Sequence, residues 1–141
     1  MALHRTASSF VIHLADLASL ARARLNDAEA LRLARRYDSA LYLCGYAVEL
    51  QLKVAICRTL GWAGFPSSSR DFENLRSFRT HDLAVLLHLT GREAQVLEDY
   101  STEWKEVRAW NPEMRYFPCG GVSEREAQTR LRAATTLLRV L

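Results

Sequence analysis

Apolar residues recur at steps of three and four along the first part of the chain. They are Phe10, Leu14, Leu17, Ala21 and Leu25. This spacing predicts a long first helix that begins near Ser8 or Ser9. Asn26 followed by Glu29 resembles a capping box, which predicts a break or a bend at that point. Because the helical pattern resumes afterwards, we favour one long element.

The next segment, residues 37–60, is apolar on most of its circumference, which predicts a helix enclosed by neighbours in a bundle. Asp38 is its predicted N-cap, and Gly61 is its predicted left-handed stop. Glu49 and Lys53 stand four residues apart on this helix, in the favourable order for an ion pair. A charged pair on so apolar a helix is the first candidate for a functional group.

The second half of the chain predicts three more helices, separated by turn-rich connectors. Residues 61–79 form a long loop whose aromatic residues we expect to pack against the body of the domain. Thr80 opens a short helix, and a fourth helix runs from Glu93 to about Trp110. The predicted apolar face of the fourth helix consists of Leu97, Tyr100, Trp104 and Val107. Ser123 caps the last helix.

The expected fold class is all-α, because no segment alternates between apolar and polar residues in the manner of a strand. Short connections between consecutive helices favour antiparallel neighbours. We therefore expect an antiparallel up-and-down bundle of four to five helices, built as one domain over residues 1–141.

The composition is that of a globular protein, with 49% hydrophobic and 25% charged residues. The chain shows no signal-peptide pattern and no uncharged apolar run of membrane-spanning length. Its three widely spaced cysteines, Cys44, Cys57 and Cys119, fit a reducing compartment. These features predict a cytoplasmic protein that does not bind membranes.

Charge and histidine content limit the kinds of partner and of metal or phosphate site that the sequence predicts. The net charge is +3, and an acidic middle segment separates two basic ends. Such a pattern predicts ion pairing within or between subunits as readily as nucleic-acid binding. The four histidines lack the spacing of metal ligands, and the chain has no glycine-rich phosphate loop. We predict no metal and no cofactor.

Four motifs follow one another along the chain. They are Arg36-Tyr37-Asp38-x-Ala40, Gly45-Tyr46-Ala47-Val48-Glu49-x-x-Leu52-Lys53, Thr80-His81-Asp82-Leu83 and Trp110-Asn111-Pro112-Glu113-x-Arg115-Tyr116. In this order they resemble the HEPN family (higher eukaryotes and prokaryotes nucleotide-binding domain). The resemblance covers roughly residues 15–140.

The resemblance implies a small helical bundle that is usually a homodimer. It also implies a partner such as a nucleotidyltransferase or a toxin or antitoxin protein, within a prokaryotic defence or stress system. Many members are metal-independent ribonucleases with a late Arg-x(4-6)-His motif. Their histidine would move the proton of the attacking 2′-hydroxyl, and their arginine would stabilise the charged phosphorane. No histidine follows His88 here, and Arg115-Tyr116 resembles the pair that replaces the motif in other members.

We therefore predict a dimeric module that binds RNA or a partner protein and lacks the usual ribonuclease activity. The predicted binding residues are Arg108, Arg115 and Tyr116, because arginine contacts phosphate and aromatic rings stack on bases. Glu49 and Lys53 either fix the register at the edge of the bundle, or Glu49 lies in a polar cleft and orients Arg115 or Arg108.

Two alternatives remain open at the level of sequence. The first is a metal-independent endoribonuclease of unusual motif, with His81 as acid–base group and Arg115 or Arg76 at the phosphate. Arg76 stands five residues before His81, although outside the late region. The second alternative is a purely structural subunit that resembles an antitoxin and has no nucleic-acid surface.

Overall fold

The computed structural model describes residues 11–141. Six α-helices account for most of this part of the chain. They are α1 (Leu14–Leu33), α2 (Tyr37–Leu60), α3 (Leu83–Leu89), α4 (Glu93–Asp99), α5 (Ser101–Val107) and α6 (Glu124–Val140). Two short 3-10 helices, Arg76–Phe78 and Pro112–Tyr116, lie in the connectors. The all-α fold class predicted from the sequence is confirmed.

The second helix, α2, is the centre of the molecule. It packs along α1 and α6, with α3 and the 3-10 helix Pro112–Tyr116 also against it. Among the described helices it alone is long and apolar enough to cross a membrane, yet 78% of that apolar window is buried in the bundle. The central position explains why α2 is apolar on nearly every face. It ends at Gly61, whose φ of 67° is the predicted left-handed stop.

The beginning of the first helix was predicted wrongly. The predicted start at Ser8 or Ser9 lies outside the described residues, and the helix begins only at Leu14. The residues before it form a short strand, β1 (Val11–His13), which pairs antiparallel with β2 (Gly64–Pro66). The expectation of no strands therefore fails at this small sheet. The favoured prediction of one long element is confirmed, since α1 continues through Asn26 without a break.

Helix ends were predicted with mixed success. Ser123 caps α6 as expected, because its Oγ accepts a hydrogen bond from the Glu126 backbone N–H at 3.1 Å. Asp38 does not cap α2; its Oδ2 instead accepts from the Gly120 backbone N–H at 3.0 Å and so ties the late connector to α2. The helix predicted from Thr80 begins later, since Asp82 is the N-cap of α3.

The predicted fourth helix is divided in two. Tyr100, with φ −132° and ψ 33°, interrupts the helix between α4 and α5, and α5 ends at Val107 instead of near Trp110. Of the predicted apolar face, Trp104 and Val107 are buried in α5 as expected, whereas in α4 Val96 is buried and Leu97 is 45% exposed. The long loop after α2 does pack on the body through its aromatic residues, which are Trp62, Phe65, Phe72 and Phe78.

Candidate functional site

A buried carboxylate lies in the middle of α2. Glu49 is only 1% exposed, in a helix whose other buried residues are mainly apolar. Its Oε1 accepts a hydrogen bond from Nδ1 of His81 at 2.5 Å, and its Oε2 lies 3.8 Å from Nζ of Lys53. Two partners offset the cost of removing a charge from water. They also fix the direction of the carboxylate.

His81 is held at the surface by this carboxylate. It immediately precedes Asp82, whose side chain accepts hydrogen bonds from the first turn of α3 and so fixes the backbone at this point. The imidazole is 65% exposed although its Nδ1 is bound to Glu49. The hydrogen bond at Nδ1 leaves Nε2 as the ring nitrogen that can exchange protons or hydrogen bonds with a ligand.

Trp110 ties the late part of the chain to α2. Its indole Nε1–H donates to the backbone carbonyl of Tyr42 at 3.0 Å, and the ring is 4% exposed. The contact requires a glycine on α2, because a Cβ at Gly45 would lie 2.1 Å from the indole Cδ1. This close approach explains why a glycine, which is unfavourable within a helix, occurs in the core helix.

The 3-10 helix Pro112–Tyr116 follows directly from this anchor. The Asn111 side chain accepts a hydrogen bond from the Glu113 N–H at 2.9 Å, which caps the turn. The Arg115 guanidinium lies 4.9 Å from the centre of the Tyr116 ring. The hydroxyl groups of Tyr116 and, less strongly, Tyr42 raise the pKa of Arg115, so its positive charge is secure.

These groups surround one cleft of about 450 Å³, a volume within the usual range of ligand sites, about 300–1,000 Å³. Its lining residues are Tyr42, Tyr46, Glu49, His81, Trp110, Pro112, Glu113 and Arg115. Burial, and then the negative charge of Glu49, raise the pKa of Tyr46. Its phenol therefore stays protonated and can donate a hydrogen bond. The cleft thus combines a guanidinium, an exposed imidazole and tyrosine hydroxyls.

A larger concavity of about 530 Å³ lies between α1 and α6, but two of its charged side chains are paired with each other. There Arg32 donates to both carboxylate oxygens of Glu29, at 2.6 and 2.9 Å. This bidentate pair satisfies Glu29 and Arg32 and leaves Arg132 as the other charged group among the described residues that line this surface, without a histidine or a buried carboxylate beside it. We therefore place the candidate site at the Glu49 cleft.

The structure brings together only some of the predicted site residues. Glu49, His81 and Arg115 line one cleft, as in the second reading of Glu49. The partners of Glu49, however, are His81 and Lys53, and not Arg115 or Arg108. Lys53 lies behind the carboxylate, with its Nζ 5.2 Å from the centre of the Phe65 ring.

The other predicted residues lie at the edge of the cleft or outside it. Tyr116 is 72% exposed next to Arg115. Arg108 is the exposed C-cap of α5 and does not line the cleft. Arg76 lies in the 3-10 helix Arg76–Phe78, also outside the lining, so the spacing Arg76–His81 does not form part of this site.

Five lining residues were not predicted as site residues, namely Tyr42, Tyr46, Trp110, Pro112 and Glu113. Tyr42 and Tyr46 precede Glu49 by seven and three positions, a spacing that places all three on one face of a helix. That spacing could have identified both tyrosines. Glu113 could not have been singled out, because nothing in its local pattern distinguishes it from a solvent-exposed glutamate.

An all-α bundle with a polar cleft between its central helix and a late connector defines a class of small helical binding modules. The sequence model of the HEPN domain matches residues 14–141, nearly the whole chain. The chain belongs to the HEPN family, as the four motifs indicated. Comparison with curated proteins and with solved structures gave no significant match in either set.

Family membership gives a coarse description of the function. HEPN domains are nucleotide-binding, ribonuclease-like helical modules, and they often form dimers and bind RNA.

Proposed function

We propose that this chain is a homodimeric, cytoplasmic RNA-binding module of a prokaryotic defence, stress or toxin–antitoxin system, and that single-stranded RNA binds at the Glu49 cleft. The observation that carries the proposal is the position of Arg115. Arg115 lines the cleft with its guanidinium against the exposed Tyr116 ring (72% exposed), and the next residue, Phe117, is also exposed (59%). Arginine with adjacent aromatic rings is the combination that contacts phosphate and stacks on unpaired bases.

The dimer and the cellular setting rest on the family alone. The contacts of Glu49 within the chain support the RNA surface. His81 Nδ1 and the Lys53 ammonium both contact the Glu49 carboxylate, so its charge opposes a phosphate less strongly than a free carboxylate would. The net charge of +3 adds a weak general attraction for RNA.

Fluorescence anisotropy with labelled single-stranded RNA, measured over a range of salt concentrations, tests this function. We expect Arg115→Ala to reduce the slope of log K against log salt by about 0.7, the value for one lost phosphate contact on a single strand. Tyr116→Ala should weaken binding by about 1–3 kcal/mol for one lost stacked base. Arg125→Ala is the matched control, since Arg125 is exposed on α6 outside the cleft. Absence of RNA binding, or an equal loss from Arg125→Ala, would contradict the proposal.

A second candidate function, metal-independent RNA cleavage, is favoured by the Glu49–His81 hydrogen bond. A buried carboxylate on Nδ1 orients the imidazole as in a general acid–base site. His81 Nε2 would accept the proton of the 2′-hydroxyl as that oxygen attacks the adjacent phosphorus. Arg115 would stabilise the charged phosphorane, and the 5′-oxygen would leave and take up the proton that His81 Nε2 returns. The products would be a 2′,3′-cyclic phosphate and a 5′-hydroxyl.

The cleavage assay uses wild type, His81→Ala and His88→Ala with end-labelled RNA in the presence of EDTA. His88 is the matched control, since it is an exposed histidine beside Glu93 at 3.5 Å and outside the cleft. Cleavage lost only with His81→Ala would support catalysis. RNA binding without cleavage would support the binding module and exclude the ribonuclease. A protein that neither binds nor cleaves RNA would point to the structural, antitoxin-like subunit instead.

A further inference from the structure

Glu113 is a carboxylate without a partner on the lining of the cleft. Its side chain makes no hydrogen bond or ion pair with any of residues 11–141. Arg115, two residues further on, is a cation, but its guanidinium lies against the Tyr116 ring. Glu113 is exposed to solvent, and because an acidic side chain repels phosphate, the ligand group that suits it at this site is one that donates hydrogen bonds.

The position of Glu113 is fixed by its backbone. Its N–H is bound by the Asn111 side chain, and Pro112 before it restricts φ at the first position of the 3-10 helix. The preceding residue in contact with α2, Trp110, is buried and hydrogen-bonded. The turn therefore fixes the backbone from which the exposed Glu113 side chain reaches the lining of the cleft.

The other carboxylate of the cleft is not free for the same task. Both oxygens of Glu49 face cationic or donor groups of the protein, Oε1 the His81 imidazole and Oε2 the Lys53 ammonium. Glu113 is therefore the carboxylate of the cleft that is available to a ligand.

The four RNA bases differ in what they offer to a carboxylate. Guanine alone presents two adjacent donors, N1–H and the N2 amino group, which match the two oxygens of one carboxylate. Adenine, cytosine and uracil each place an acceptor beside their donor, and this acceptor would face a carboxylate oxygen unfavourably. Unpaired bases expose these Watson–Crick edges to a protein.

We propose that Glu113 binds the Watson–Crick edge of an unpaired guanine and so gives the cleft a preference for guanine in single-stranded RNA. The inference rests on the proposed RNA binding at this cleft. Arg115, two residues further on, contacts the backbone phosphate, and the exposed Tyr116 ring stacks on a base. Affinity then comes from Arg115 and Tyr116, and base selectivity comes from Glu113.

Competition binding with uridine-tract RNAs that carry one central guanine, inosine or adenine tests this proposal. Wild type should bind the guanine RNA about tenfold more tightly than the adenine RNA, the usual value of one bidentate base contact. Inosine retains N1–H and lacks the amino group, so its RNA should lie between the two. Glu113→Gln should bring the guanine RNA to the affinity of the adenine RNA, without weakening the adenine RNA. Glu98→Gln, an exposed glutamate of α4 outside the cleft, is the matched control and should keep the preference.

The outcomes separate this inference from the proposed function. If none of the RNAs binds, or if Arg115→Ala leaves binding unchanged, the proposed function fails and the inference falls with it. If the RNAs bind through Arg115 but guanine and adenine bind equally, only the guanine inference is wrong. A guanine preference that persists in Glu113→Gln would also overturn it.

Discussion

Replacing Gly45 by alanine should displace Trp110 and loosen the whole late connector. The added Cβ would lie 2.1 Å from both Cδ1 and Cγ of the indole and 2.5 Å from its Nε1. These distances are far below van der Waals contact, and the α2 backbone cannot move without disturbing the core around it. The indole must therefore leave its place and lose the hydrogen bond to the Tyr42 carbonyl.

The size of the effect follows from two opposing contributions. Loss of a well-buried tryptophan contact costs about 3–5 kcal/mol in the limit where the ring is wholly displaced. Alanine within a helix is about 1 kcal/mol more favourable than glycine. The net destabilisation of Gly45→Ala should therefore be about 2–4 kcal/mol. If the ring relaxes partly into another position, the cost should lie near the lower end of this range.

A double-mutant cycle in urea, followed by tryptophan fluorescence and circular dichroism, measures this coupling. In a Trp110→Ala background the clash is gone, so Gly45→Ala should be neutral or stabilising by up to about 1 kcal/mol. Gly121→Ala is the control, because a Cβ there meets no atom within 4 Å, and it should change stability by less than about 0.5 kcal/mol. The reasoning is refuted if Gly45→Ala is as stable as wild type, or if its cost persists without the indole.

Three further expectations follow from single contacts. Glu49→Ala should lower the free energy of unfolding in urea by about 2 kcal/mol, since it removes a buried, hydrogen-bonded charge; an unchanged midpoint would contradict this. Burial raises the pKa of Cys44 to about 12 and also raises that of Cys57, so at pH 8 a thiol reagent should modify Cys119 alone until denaturant is added. Ser123→Ala should cost about 1 kcal/mol through loss of the α6 N-cap, and a stability equal to wild type would refute the cap.

Local patterns in the sequence predicted most of the helices because their signals lie within one element. The apolar circumference of α2 and the left-handed Gly61 are examples. The strand β1 was missed because its hydrogen bonds come from residues 64–66, about fifty positions away, and three residues are too few to show alternation. The break at Tyr100 carries no glycine or proline, so tertiary packing of α4 and α5 decides it.

The candidate site was predictable to the extent that its groups share a helix face. Tyr46 and Glu49 belong to one stripe of α2, so their common position could be read from spacing. Convergence of His81 and Arg115 on that stripe depends on contacts between distant segments, above all the close approach of Trp110 to α2. Periodicity contains no information on such contacts.

The most direct test of the central claim, that RNA binds at the Glu49 cleft, is an NMR titration of the labelled protein with single-stranded RNA. The Trp110 indole N–H, the His81 ring and the Arg115 side chain should show the largest shift changes, because they lie in or next to the cleft. The main changes should not fall on the concavity between α1 and α6 around Arg32 and Gln128. Shifts concentrated on that concavity, with the cleft signals unchanged, would contradict the claim.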